Sequence, residues 1–318
     1  MKKKAVCLLI CTTLFLSGCG KQTPMMSYQT KDDTFTVLSQ EEAGSNLLSR
    51  DVCVIPKEET KDTDKNLTAE SALLVDVTDD KKVYAENVYE KLYPASITKI
   101  VTALVTLKNA KLDDEVVITK DAANITEPGA KLCGFQEGDK ILLKDLLRAF
   151  LVYSGNDAGV ALAEHVAGSV DEFAELMNKE AENIGASHSH FVNPHGLHDD
   201  NHYTTAYDIY LFFNELTKYD TFVDIVNSGR VTVSYEDKAG KKQTKTFEST
   251  DRYLNGKMNP PAGVTVIGGK TGTTSKAGSC LVLYSEGSSG HRYISVVLKA
   301  QSGDDLFTQM NYLLGMIK

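Results

Sequence analysis

Three short motifs follow one another along the chain: Ser96-Ile97-Thr98-Lys99, Ser154-Gly155-Asn156 and Lys270-Thr271-Gly272. A serine hydroxyl attacks a carbonyl only when a base takes its proton, and a lysine acts as that base only if burial or a neighbouring cation keeps it neutral. Ser96 and Lys99 stand three apart at the start of a helical run, so they share a face, with the hydroxyl near the positive end of the helix. Lys270 is a candidate for the neighbouring cation. Taken singly, a helix-start serine, a solvated helix lysine and a Ser/Gly/Asn turn explain these residues equally well. Their order and context together point to acyl transfer through a serine ester.

The elements around the motifs set their placement. Pro94 precedes a run at residues 95–108 with Ile97, Ile100, Val101, Leu104, Val105 and Leu107 at helical spacing, which predicts a helix carrying Ser96 and Lys99. Ser154-Gly155-Asn156 falls between helical stripes at 142–153 and 157–166, so its side chains belong to a tight turn between helices. Lys270-Thr271-Gly272-Thr273 ends a predicted strand beginning at Val264, and Gly268, Gly269 and Gly272 allow another backbone or a ligand to come close. Gly269-Lys270-Thr271 is not part of a Walker A loop, because the position of that motif's first glycine is Val264.

Strand patterns at 72–77 and 81–84 open the domain around an Asp79-Asp80 turn. Further helical stripes cover 171–184 and 204–217, with short strands near 116–119 and 140–142. Strands follow at 231–235, 244–247, 264–270, 279–284 and 293–298, and a helix at 304–317. Strands at both ends with helices inserted between them predict an α+β domain. In it, one antiparallel sheet is flanked by helices and an all-helical lobe sits beside it across a cleft.

Length and composition leave room for one large core plus an extra segment: 318 residues, 42% hydrophobic. Lys2, Lys3 and Lys4 precede an apolar run that ends in Leu16-Ser17-Gly18-Cys19. That run is shorter than the ~20 residues a bilayer span requires. It has the form of a signal peptide with a lipobox, so Cys19 is the expected lipidated residue. The expected organisation is a signal peptide at 1–18, a polar tether at 19–66 and a catalytic domain at 67–318. Loss of the signal peptide removes three lysines and moves the formal charge from −9 to −12, which disfavours nucleic acid as a partner. Cys53, Cys133 and Cys280 then remain, an odd number without C-x-x-C spacing, so no disulfide framework is expected. Cys280 lies in a strand pattern and Cys133 in a loop-like stretch open to exposure. With no H-E-x-x-H motif or Cys/His cluster, no metal or other cofactor is expected.

The chain resembles the low-molecular-mass penicillin-binding proteins, specifically the serine D-alanyl-D-alanine carboxypeptidases of peptidase family S11, over residues 67–318. The likeness extends past the three motifs. It takes in Tyr93-Pro94-Ala95, Asp157-Ala158, Phe191-Val192-Asn193-Pro194-His195-Gly196-Leu197, His202-Tyr203-Thr204-Thr205-Ala206-Tyr207-Asp208 and Ala277-Gly278-Ser279-Cys280. It implies a fold shared with class A β-lactamases. It further implies that Ser96 attacks the bond between two D-alanines of a peptidoglycan stem peptide, with Lys99 as base and Ser154 passing a proton to the departing D-alanine. Asn156 would hold the peptide amide. Lys270, Thr271 and Thr273, around Gly272, would bind the terminal carboxylate, and the Ser96 and Thr273 amides would form the oxyanion hole. β-Lactams would acylate Ser96, and the domain would face the cell wall from outside the membrane.

Two departures from the family pattern stand out. No C-terminal sheet domain or membrane helix follows, so the lipid on Cys19 is the expected anchor, and Asp251-Arg252-Tyr253-Leu254-Asn255 matches only loosely. Two other readings stay open. A class A β-lactamase would need a deacylating glutamate, and between Phe191 and His202 there are only Asp199 and Asp200, with Glu182 nearby in sequence. A non-catalytic penicillin-binding sensor would be expected to lose some of Ser96, Lys99 and Lys270.

Overall fold

The computed structural model describes residues 52–318. The signal peptide, Cys19 and the tether up to residue 51 lie outside the described residues.

Nine strands form two antiparallel sheets among the described residues. The larger is built from β1 (Ser71–Asp76), β2 (Lys81–Glu86), β7 (Val264–Thr274), β8 (Gly278–Gly287) and β9 (Arg292–Ala300), in the order β2-β1-β9-β8-β7. The smaller has β3 (Glu115–Val117), β4 (Lys140–Leu142), β5 (Arg230–Glu236) and β6 (Lys242–Glu248) in sequence order. The sequence reading set the short strands near 116–119 and 140–142 within the helical lobe and gathered the later strands into the one sheet. Periodicity reports a strand but not its partner, and β5 pairs with β4 and β6 instead of joining β7.

The helices are α1 (Thr98–Asn109), α2 (Lys120–Ala123), α3 (Leu143–Arg148), α4 (Asn156–Ala167), α5 (Val170–Asn183), α6 (Ala206–Leu216), α7 (Asp220–Val226) and α8 (Gly303–Leu314). Every residue of β1 is buried because both faces of the large sheet are covered. Alternation sends Leu73 and Val75 into the main core with α1 and α6, and Ala72 and Leu74 into a second cluster under α8. Positions 98–106 of α1 are all buried, so this helix runs through the interior and carries Lys99 with it. The α6 and α8 starts are capped by Thr205 and Ser302, whose hydroxyls accept from the Asp208 and Asp305 amides.

The domain begins earlier than the expected boundary at 67. Cys53 and Ile55 are buried in the main core, and their backbone is tied down by Tyr210 Oη on Cys53 N–H at 2.8 Å and Tyr89 Oη on Ile55 O. The apolar island at 52–55 was the sequence signal for this, but two buried side chains in a polar stretch set up no period. Cys133 is also buried, 6% exposed, against the expectation of exposure. Among the described residues, no helix is long and apolar enough to cross a membrane.

Candidate active site

The chain enters α1 through a single tight turn at Ala95–Ile97, with Ala95 in the left-handed region at φ 48°. An L-residue held there costs energy that the surrounding contacts must meet. Ser96 is half-buried at this turn, and Lys99 is fully buried one turn on. Lys99 Nζ lies 3.0 Å from Ser96 Oγ, 2.7 Å from Asn156 Oδ1 and 2.7 Å from His195 O. Asn156 Oδ1 and the carbonyl take two N–H donors. In the neutral amine the third direction, toward Ser96 Oγ, then holds the lone pair. Burial, followed by the Lys270 cation, drives Lys99 well below an ordinary lysine.

The second motif follows a buried π-helical turn at Ala149–Tyr153, which ends when Ser154 adopts a left-handed conformation at φ 74°. Such turns widen the helix by one residue and recur at functional sites. Asn156 then opens α4. Asp157 fixes this junction: Oδ1 accepts from Cys133 N–H at 2.8 Å and Oδ2 from Gly134 N–H at 2.7 Å. The Lys131 carbonyl accepts from Asn156 N–H at 2.6 Å, and Cys133 Sγ fills the space a side chain on Gly155 would need. Lys131 itself lies 4.0 Å from the centre of the Tyr153 ring, and its charge acts on both Lys99 and Lys270. The sequence reading missed Lys131 and Cys133 as neighbours of the site, since a loop without periodicity gives no hint of where it folds back.

The third motif sits inside β7, which continues to Thr274, and not at a strand end as the pattern suggested. Pairing with β8 carries the strand through the glycines to Thr274 opposite Gly278. Lys270 is buried and donates to Ser154 Oγ at 3.0 Å and to Thr271 O at 3.0 Å. Burial first and the Lys131 charge second bring Lys270 down to about 7, with Asp251 pulling the other way. Asp251 belongs to the loosely matching segment. It is buried with its carboxyl pushed up to about 6 by burial, and Oδ1 accepts from Tyr253 N–H at 2.9 Å. Thr271 Oγ1 donates to Thr250 Oγ1 at 2.6 Å, so Thr250, absent from the expected set, orients that hydroxyl. Thr273 is exposed, facing solvent. Gly272 lies against the nucleophile turn: a Cβ there would stand 2.8 Å from Ser96 N and 2.9 Å from Pro94 O.

Ser96, Lys99 and Asn156 are thus joined by hydrogen bonds, Ser154 and Lys270 by another, and Gly272 closes β7 on Ser96. A cavity of about 250 Å³ is lined by Tyr93, Asp200, Tyr203 and Lys276 among others, and by none of the motif residues. Another of about 410 Å³ lies elsewhere, between α7 and β5, and none of the motif residues lines it. Glu182, the nearest glutamate weighed for a lactamase role, is exposed near the end of α5, and the buried Glu180 is held by Lys108 at 2.6 Å.

A serine within hydrogen-bond distance of a buried lysine, beside an antiparallel sheet backed by helices, is the arrangement of the penicillin-binding class of folds. Among solved structures, the Streptomyces K15 DD-transpeptidase superposes with a TM-score of 0.71 at 28% identity, covering 79% of this chain and 98% of that one. Penicillin-binding protein D2 from Listeria monocytogenes, in its cefotaxime-bound form, does so with 0.66 at 25% identity, covering 80% and 99%. The family model for D-alanyl-D-alanine carboxypeptidase matches residues 57–302, and the chain belongs to that family. The carboxypeptidase DacF of Bacillus subtilis is 33% identical over 253 residues, which cover 77% of this chain and 61% of DacF. DacC of Escherichia coli is 33% identical over 257 residues, covering 78% and 61%. The chain therefore spans about three-fifths of the length of these two curated relatives.

Proposed function

We propose that this protein is a serine D-alanyl-D-alanine carboxypeptidase that removes the terminal D-alanine from peptidoglycan stem peptides and is acylated by β-lactams. The observation that carries the reading is Lys99 Nζ, buried and 3.0 Å from Ser96 Oγ with its other hydrogens engaged. In the first step Lys99 takes the Ser96 proton as the Oγ–C bond forms. Charge on the carbonyl oxygen is met by the Ser96 and Thr273 amides, and a donor of this kind is typically worth about 10² to 10³ in rate. Ser154 gives its proton to the departing amine as the C–N bond breaks and is reprotonated with the proton that Lys99 took, and Lys270 holds Ser154 in place. Water then attacks the ester, its proton passing to the neutral Lys99 amine and from there to Ser96 Oγ as the Oγ–C bond breaks, which regenerates Ser96 and Lys99. Asn156 positions the peptide amide, and Lys270, Thr271 and Thr273 anchor the terminal carboxylate, which measures the distance from chain end to scissile bond.

The same proposal places the enzyme outside the cell membrane. Residues 1–18 act as a lipoprotein signal peptide, a lipid on Cys19 is the anchor, and the residues between Cys19 and Val52 link it to the folded domain. Absence of a glutamate between Phe191 and His202 favours this reading over efficient β-lactam hydrolysis.

The test uses the full chain in detergent with a fluorescent penicillin and a peptide ending in D-Ala-D-Ala, comparing wild type with Ser96→Ala. Stable labelling and D-alanine release, both lost in the variant, are expected. Rapid label loss with antibiotic turnover would indicate a lactamase, labelling without D-alanine release a sensor, and labelling that survives in Ser96→Ala would refute the nucleophile.

The pH profile follows from the two lysines. Lys99 works unprotonated, so activity falls toward acid as it gains a proton. Lys270 anchors a carboxylate only when charged, and with its value near 7 the free enzyme loses that anchor as pH rises through neutrality. A bell-shaped kcat/KM is expected, with the alkaline limb moved upward in Lys270→Arg, whose charge persists.

A further inference from the structure

Two segments of the sequence, Phe191–Leu197 and His202–Asp208, resemble the family without a part in the reaction just described. Both fold behind the Ser96 turn. The Leu92 and Thr204 backbones exchange hydrogen bonds at 2.8 and 2.9 Å, which sets the second segment beside the chain leading to Ser96. From the first segment, the Pro194 carbonyl accepts from Thr102 Oγ1 at 2.7 Å and the His195 carbonyl from Lys99 at 2.7 Å. Gly196, at φ +84°, packs its backbone against Ala95 O and Thr98 Oγ1, where a Cβ would collide with both.

At the centre of these contacts is His202, 2% exposed. Its Nδ1 accepts from Val192 N–H at 3.1 Å, so the ring proton sits on Nε2, which donates to Thr98 Oγ1 at 2.8 Å. Thr98 is left one direction for its own proton, toward Ala95 O at 2.8 Å. The imidazole is also braced edge-on by Phe191, 5.4 Å between ring centres. The relay runs from a neutral imidazole through one hydroxyl to the carbonyl of the residue held at φ 48°, immediately ahead of the nucleophile. A charged ring would present an N–H to the Val192 N–H and break the chain, and burial holds His202 neutral, down to about 3.

We propose that His202 is a positioning residue for acylation: through Thr98 it holds the strained Ala95 turn that aims Ser96 Oγ at the substrate carbonyl and at Lys99. This rests on Ser96 being the nucleophile. His202 makes no contact with substrate, so its loss misdirects the hydroxyl without altering the carboxylate anchor. A misplacement of ~1 Å at a reacting atom costs on the order of 10²-fold.

The experiment measures the noncovalent binding constant and the first-order acylation rate of a fluorescent penicillin on the full chain for His202→Leu, His202→Gln and Thr98→Val, with melting temperatures alongside. In His202→Leu, acylation is expected to fall by roughly 10- to 100-fold with binding changed less than about twofold. His202→Gln, which offers an N–H in place of Nε2, is expected to recover most of the rate. Thr98→Val keeps volume and fold while removing the middle of the relay, so it carries the test if His202→Leu does not fold. Wild-type acylation rates in both His202→Leu and Thr98→Val would overturn the inference, as would a Gln variant as slow as Leu. If wild type fails to label at Ser96, the carboxypeptidase reading fails and takes this inference with it, whereas labelling that ignores these variants sinks the inference alone.

Discussion

Lys99→Met is expected to slow acylation of Ser96 by about 10² to 10⁴-fold, the range a positioned general base supplies. Methionine matches the lysine stem in volume and flexibility, so the interior of α1 keeps its packing. What disappears is the lone pair directed at Ser96 Oγ from 3.0 Å. Stability is expected to change little, because relief from burying an amine is offset by Asn156 Oδ1 and His195 O losing their donor. Lys99→Arg separates base from donor: a guanidinium still donates to both oxygens but stays protonated, so it should be as inactive as methionine. Single-turnover labelling with fluorescent penicillin, normalised to folded protein by melting curves, reads both variants. A rate within a few-fold of wild type in Lys99→Met would assign the proton to another acceptor.

The second large effect is at Gly272. Its added Cβ in Gly272→Ala would stand 2.8 Å from Ser96 N, 2.9 Å from Ile97 N and 2.9 Å from Pro94 O, all backbone atoms with no rotamer to escape into. β7 cannot simply retreat, since Gly272 is held in register opposite Cys280 of β8. The Ser96 turn must therefore shift against the strand, and both the hydroxyl and the Ser96 amide lose alignment. Acylation is expected to fall by about 10²-fold or more, by the same sensitivity to ~1 Å displacements. The fold should survive, because the backbone at Gly272 does not occupy the left-handed region. Measured labelling that stays near wild type would show that the close approach of β7 is incidental to catalysis.

Much of the site was legible in the chain because its residues act through local spacing. Ser96 and Lys99 share a helix face, Ser154 and Asn156 share a turn, and both relationships are decided within a few residues. The α+β class was readable for a similar reason, since strand and helix periods are local. Partnership was not: β5 and β6 have the pattern of any sheet strand, and only packing shows that β5 pairs with β4 and β6 instead of with β7. The tether boundary failed where two apolar residues, Cys53 and Ile55, were too few to set up a period yet enough to dock on Tyr210 and Tyr89. Cys133 reads as loop because its backbone is irregular, and Asp157 is what draws it inside.

The sequence by itself determined the order of the three motifs, the chemistry of their side chains and the helix that brings a hydroxyl beside an amine. Tertiary structure alone decided whether that amine is a base. Lys99 is driven well below an ordinary lysine because α1 is buried along its first nine residues and because β7 brings up Lys270. Ser96 is aimed because Gly196 and the relay from His202 hold the Ala95 turn from behind. Protonation and aim both depend on groups distant in sequence, through desolvation and hydrogen bonding that exist only once the chain has closed around them.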